Sequence, residues 1–183
     1  THGINDLKLS TKLPYNSSRK NILDNYLNSI HDTLKKTKLD HIETVLVHDL
    51  NDLKILENIN HKNDLRIIKK KLPVKNVGFS IYNVRDLKKG RKIMKESVFQ
   101  FPYNALNKEF EKIDPKKLTY ARSIFLQGFL INKNIKFISK KLNKLHKAYH
   151  NTIEDLKIDA FDYALHEVLK KNFRYYLIGV NSI

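Results

Sequence analysis

The 183-residue sequence contains no cysteine and no tryptophan, one methionine, four prolines and five glycines. Without cysteine there is no disulfide and no thiolate metal site, and cysteine usage is silent about redox compartment. So little Pro and Gly excludes collagen-like and low-complexity architectures. No apolar run approaches the roughly 18–20 residues that span a bilayer. The opening "THGINDLKLS" lacks the apolar stretch of a signal peptide, so a cytoplasmic location is the default expectation. Acidic residues are also few, 19 against 35 basic ones, for a net charge of +16.

That charge admits two readings. One is a polyanion-binding face, of the kind nucleic acids or anionic membranes recruit. The other is a solvated, lysine-rich surface. The basic residues are 29 lysines and six arginines. The lysines are dispersed along the chain, and Arg19, Arg66, Arg85, Arg91, Arg122 and Arg174 do not cluster. Sequence-specific readers favour arginine forks, and single-strand binders interleave basic grooves with stacking rings. The solvated surface is therefore the expectation, with neither a nucleic-acid nor a membrane partner.

What is present is an alternation. Six short apolar segments read as strands: 7–13, 43–48, 75–80, 97–101, 118–124 and 174–180. Between most of them run helical patterns. Ser17 or Ser18 would cap a helix with Leu23, Leu27, Ile30 and Leu34 on one face. Leu65, Ile68 and Leu72 mark a second, stopped by Pro73. Phe161, Leu165, Val168 and Leu169 mark the face of another, and residues 132–153 form a lysine-laced amphipathic helix. Near-continuous apolar strands alternating with helices predict a parallel α/β sheet in a single domain spanning residues 1–183.

The strands end on polar groups: Thr11-Lys12, His48-Asp49, Ser80 with Tyr82-Asn83, Gln100, Arg122-Ser123, and Asn181-Ser182. One such end is unremarkable, because a strand has to exit somewhere. A series of them is the pattern of a parallel barrel or doubly wound sheet, whose ligands bind at the carboxyl ends of the strands.

These segments in this order resemble the aldo-keto reductases, a (β/α)₈ barrel family that uses a nicotinamide cofactor. "LSTKLP" resembles the family's third strand, "TVLVHDLNDL" the fourth, "VGFSIYN" the fifth and "FQFPYNALNKEFE" the sixth. "YARSIFLQGFLI" resembles the seventh strand and its phosphate loop, and "YYLIGVNS" the eighth. The resemblance implies an α/β TIM barrel, with about six βα units readable. It also implies hydride transfer between NADP, or NAD, and a small carbonyl or alcohol substrate. It assigns Lys12 and His48 to catalysis, the lysine lowering a phenol's pKa and the histidine orienting the carbonyl. Ser80 and Gln100 would hold the nicotinamide carboxamide, and Arg122 would stack on the ring. Ser123, Leu126 and Gly128 would wrap the pyrophosphate, and Ser182 would join the cofactor site. No metal is implied, and the abundant lysine suggests a preference for the 2′-phosphate.

The family's first two strands, with their aspartate and tyrosine, have no counterpart in these motifs, although "THGIND" would put His2 at the tyrosine's place. Eight βα units take about 250 residues, so the chain is expected to be part of a longer one. The alternative is a degenerate relative that binds nucleotide without turnover. Each assignment has a plainer reading. Lys12 would be a solvated strand end, His48 a structural partner of Asp49, Ser80 and Gln100 ordinary exits, and Arg122 the partner of a structural carboxylate. "HKAYH", with His146 and His150, has the spacing of a zinc pair but no Glu between them and no third ligand. It is read as a solvated helix face.

Overall fold

The structure is a computed structural model that describes residues 7–14, 21–48, 50–56, 58, 63–114 and 119–179. In chain order the elements are β1 (Ser10–Lys12), α1 (Ile22–Thr37), β2 (Ile42–Val47), α2 (Leu50–Leu56), α3 (Asp64–Lys71), β3 (Val74–Ser80) and α4 (Val84–Ile93). They continue with β4 (Val98–Pro102), β5 (Thr119–Arg122), α5 (Lys140–Asp155), α6 (Ala160–Leu169) and β6 (Tyr175–Tyr176). The strand order is β1-β2-β3-β4-β5-β6, and β1 with β2, β2 with β3, β3 with β4 and β5 with β6 pair in parallel. Parallel neighbours need a crossover, which is why helices fall between them. The chain divides into two compact units at Gln100 and Phe101, within β4.

In the first unit the register sorts side chains by face. Thr11 pairs with Val45, Val45 with Val77, Val47 with Phe79, and Phe79 with Phe99. Residues paired across parallel strands share a face, and neighbours along a strand alternate. This face meets α4, where a Cβ on Gly90 would lie 2.8 Å from ring atoms of both Phe79 and Phe99. The opposite face carries Lys12, Leu46, Gly78 and Val98 in one row. At Gly78 a Cβ would meet the Val98 carbonyl oxygen at 2.0 Å, so β3 and β4 approach this closely only around glycine.

α1 buries Ile22, Tyr26 and Ile30. Its inward face is thus turned by one residue from Leu23, Leu27 and Leu34, which are half-buried. The reason is polar. The Tyr26 hydroxyl donates 2.6 Å to the Asp52 carboxylate of α2, and both residues are inaccessible to solvent. Apolar periodicity carries no trace of such a bond. Ser17 and Ser18 lie outside the described residues; the helix starts after Asn21. α4 has its own polar start, since the Asn83 Oδ1 accepts from the Asp86 N–H at 3.0 Å and its Nδ2 donates to the Asp86 carboxylate at 2.7 Å. Asn83 is a helix cap.

The second unit is held by rings. Phe101 stacks on Phe110 at 4.4 Å between centroids, and the Phe173 edge packs against Phe101 and Tyr103 at 5.3 and 4.9 Å. Fully burying one such side chain is worth about 1.5–3 kcal/mol. β5 stops at Arg122, one residue before Ser123 takes φ 57°. α5 begins at Lys140, with residues 132–139 non-helical. The Asn143 side chain bonds both the N–H and the C=O of Phe137 and holds that stretch off the helix axis. α6 buries Ala164 and Val168, whereas Phe161 and Leu169 are exposed. The expected face of this helix is therefore also turned, because the space against Phe129 and Leu130 admits an alanine.

Candidate active site

Of the expected site residues in the first unit, Lys12 and Ser80 end β1 and β3, His48 follows β2, and Gln100 lies at the middle of β4. Lys12 pairs with Leu46 on the face away from α4, and Ser80 pairs with Gln100 on that same face one pleat further on. His48 follows Val47 directly, and the alternation of β2 puts it on the side of Leu46, level with Ser80. Lys12, on the edge strand, is exposed. His48 is half-buried, and Asp49 lies outside the described residues.

Ser80 and Gln100 are only 3% and 4% exposed. Among the described residues neither the Ser80 hydroxyl nor the Gln100 Oε1 has a hydrogen-bond partner. An unmet buried polar atom costs about 1–3 kcal/mol, and here two stand at paired positions of adjacent strands. One is a rotatable O–H and the other a fixed acceptor, which together match the carbonyl and amino groups of a primary carboxamide.

The second unit holds the expected loop residues. Arg122 closes β5, and its Nη1 donates to the Ser123 hydroxyl at 3.3 Å. Ser123, Leu126, Gln127 and Gly128 all adopt positive φ, at 57°, 48°, 54° and 87°. Three of the four carry a Cβ, at a steric cost of roughly 1–2 kcal/mol each. Tight turns absorb it: the Leu126 N–H donates to Ser123 O, and the Gly128 N–H to Phe125 O, both at 3.0 Å. Those two amides are committed inside the loop. Ser182 lies outside the described residues.

No family model matches the sequence, and no curated protein matches it. Solved structures do. The glycerol dehydrogenase of Gluconobacter oxydans aligns with TM-score 0.68 at 14% identity, over 95% of this chain and 63% of its own. The apo aldo-keto reductase of Bacillus halodurans aligns with TM-score 0.69 at 17% identity, over 97% and 62%. A putative aldo-keto reductase of Pseudomonas aeruginosa aligns with TM-score 0.60 at 17% identity, over 93% and 60%. The fold is that of the aldo-keto reductases. The chain spans about three-fifths of the length of these relatives, so it contains an incomplete version of their TIM barrel.

Within the aldo-keto reductase fold, the pair His146 and His150 on α5 departs from expectation. Both are buried, and neither lies on a solvated face. The carbonyls of Asn132 and Phe129 accept from His146 Nε2–H and His150 Nε2–H at 2.9 and 3.0 Å. The rings lie edge to face, 4.5 Å apart, and His146 also packs against Phe129 and Phe137. The spacing suited to a zinc pair instead hangs the end of the 123–132 segment on a helix. Among the described residues no three His, Asp or Glu side chains gather to hold a metal.

Sequence reasoning also missed Asn104, which is wholly buried. Its Oδ1 accepts from the Leu106 and Asn107 N–H groups at 3.0 Å, and its Nδ2 donates to Ser123 O at 3.2 Å. The signal was Asn104-Ala-Leu-Asn107 directly after a strand, an Asx-turn pattern. A third cluster joins Tyr103, Glu111 and Lys171, with Lys108 bridging to Glu167 at 3.2 Å. Burial, then the bond to Glu111, pushes the Tyr103 phenol well above its ordinary range. The same bond holds the Glu111 carboxyl below its usual range, and the Lys170 ammonium does likewise for Glu167.

Proposed function

We propose that the chain carries part of the active site of an NADP-dependent oxidoreductase of aldo-keto reductase type, NAD being the other cofactor of this chemistry. The substrate class is a small carbonyl or alcohol compound, handled in the cytoplasm. The observation that supports this most is the unmet Ser80 hydroxyl and Gln100 Oε1, buried at paired positions on the face that also carries His48 and Lys12. When bound, the reduced nicotinamide supplies the hydride equivalent. Ser80 donates to the carboxamide oxygen and Gln100 accepts from its amino group, which fixes the ring's orientation. The His48 imidazole N–H donates to the substrate oxygen as negative charge develops there. The Lys12 ammonium stabilises the anionic form of a neighbouring acid. Arg122, Ser123, Leu126, Gly128 and Ser182 are assigned to the same cofactor by resemblance alone.

A second reading is a degenerate relative, a module that binds nucleotide without turnover. Titration with NADPH and NADH, read by cofactor fluorescence and thermal shift, separates the readings when combined with an aldehyde panel. The first expects binding that weakens by about tenfold or more in Gln100→Leu, together with turnover that Lys12→Met and His48→Phe abolish. Binding without turnover leaves the second. Binding of neither cofactor refutes both.

A further inference from the structure

From Pro115 to Ile153 the sequence has no acidic residue. Six lysines in this stretch (Lys133, Lys136, Lys140, Lys141, Lys144 and Lys147) are exposed. Lys133 pairs with Glu154 at 3.2 Å; among the described residues the other five have no carboxylate within ion-pair distance. Lys140 and Lys141 open α5, whose first turn holds no acid, so they add positive charge at the end where the helix dipole is already positive. The Ser139 hydroxyl caps the helix, but among the described residues no carboxylate offsets the lysines, and an external anion would.

Beside the lysines lies an apolar stripe. Ile138 is fully exposed, and Leu142 and Leu145 are 44% and 50% exposed. Leu142 and Leu145, three residues apart on α5, form a short row on one face, and Ile138 lies just ahead of the helix. Ile138 precedes the Ser139 cap, where an apolar residue ordinarily staples onto the fourth residue of the helix. That residue is Asn143, and its side chain is taken by the Phe137 backbone. Ile138 is therefore left in water. The helix is anchored by its other half, through His146, His150 and Ile153. A merely solvated lysine face has no such row.

We propose that this half of α5 docks the protein peripherally on an anionic phospholipid surface. Ile138, Leu142 and Leu145 enter the headgroup boundary, and the five lysines lie against lipid phosphates. Charge complementarity selects an anionic partner. The aliphatic character of the row selects lipid over nucleic acid, which would be met by arginine forks and stacking rings. No helix among the described residues is long and apolar enough to cross a membrane, so the contact is interfacial.

The test is co-sedimentation of the 183-residue protein with phosphatidylcholine vesicles, with and without phosphatidylserine, at low and physiological salt. The expected result is binding only to vesicles containing phosphatidylserine. It should weaken by about fivefold for each charge removed in Lys140→Gln and Lys144→Gln. It should weaken by at least about tenfold in Leu142→Asn/Leu145→Asn, with unchanged circular dichroism, since these side chains are exposed. Failure to bind phosphatidylserine vesicles at low salt overturns the proposal. So does binding that ignores the leucine pair and extends equally to single-stranded RNA, which would mark a plain polyanion surface. A change in the mass of the protein alone on leucine replacement would also overturn it, by marking a face between copies.

Discussion

Replacing His150 with phenylalanine tests whether the pair on α5 holds the strained loop. Phenylalanine preserves the ring's packing against Tyr149 and His146, whose centroids lie 5.2 and 4.5 Å away. What disappears is the 3.0 Å donation from Nε2–H to the Phe129 carbonyl. No other described donor reaches that oxygen, and Phe129 itself is only 5% exposed. A buried acceptor left unmet costs about 1–3 kcal/mol. In a chain of this size that lowers Tm by roughly 2–12 °C, at about 2–4 °C per kcal/mol. His150→Gln retains an N–H donor, so it should recover part of the loss, and His146→Phe should cost less, because Asn132 is exposed and water can meet its carbonyl. The assay is urea unfolding followed by circular dichroism, with amide exchange across residues 123–132. The expected pattern is a lower midpoint at unchanged m-value, and faster exchange at Gly128 and Asn132, whose N–H groups close the loop's turns. Stability within about 0.5 kcal/mol of the wild type, the range of ordinary surface changes, would refute the claim that these histidines carry the loop.

Tyr103→Phe should flatten the pH dependence of stability on both sides. Glu111 is held below its ordinary range by the Tyr103 hydroxyl, so the native protein loses stability as pH falls through that lowered value. Tyr103 is raised, so stability present below the usual phenol pKa is lost as pH climbs above it; urea midpoints from acid to alkaline pH read both limbs. Unchanged limbs in the variant would count against the pairing. Gly78→Ala should prevent folding or cost more than about 3 kcal/mol, because its Cβ meets backbone, the Val98 carbonyl, at 2.0 Å; soluble expression with wild-type stability would contradict the close approach. Asn104→Ala should cost about 1–3 kcal/mol by removing the side-chain acceptor of the Leu106 N–H and the tie to Ser123 O, the Asn107 N–H keeping the Asn104 carbonyl and the Ser123 carbonyl keeping the Leu126 N–H, and thermal unfolding measures it.

The sequence by itself determined the order of elements and the ends of the strands. Val45, Leu46, Val77, Phe79 and Phe99 had to become strands because runs of β-branched and aromatic residues fit a sheet covered on both sides. Ser80, the last residue of its strand, could be read for the same reason, and Gln100 stood out as the polar side chain inside the apolar run of β4. Parallel pairing in chain order then placed those two side by side, as an alternating pattern of strand and helix requires.

Only the tertiary structure decided the polar interior. Local patterns record hydrophobicity along one segment, whereas a hydrogen bond joins two. Tyr26 with Asp52, Asn104 with Ser123, and His150 with Phe129 connect residues 26, 19 and 21 positions apart, and each shifted a face or buried a group that periodicity had left in solvent. The strained run from Ser123 to Gly128 was likewise invisible in the sequence. Three of its positive-φ residues have side chains that avoid this conformation when free, and only contacts made elsewhere hold them there.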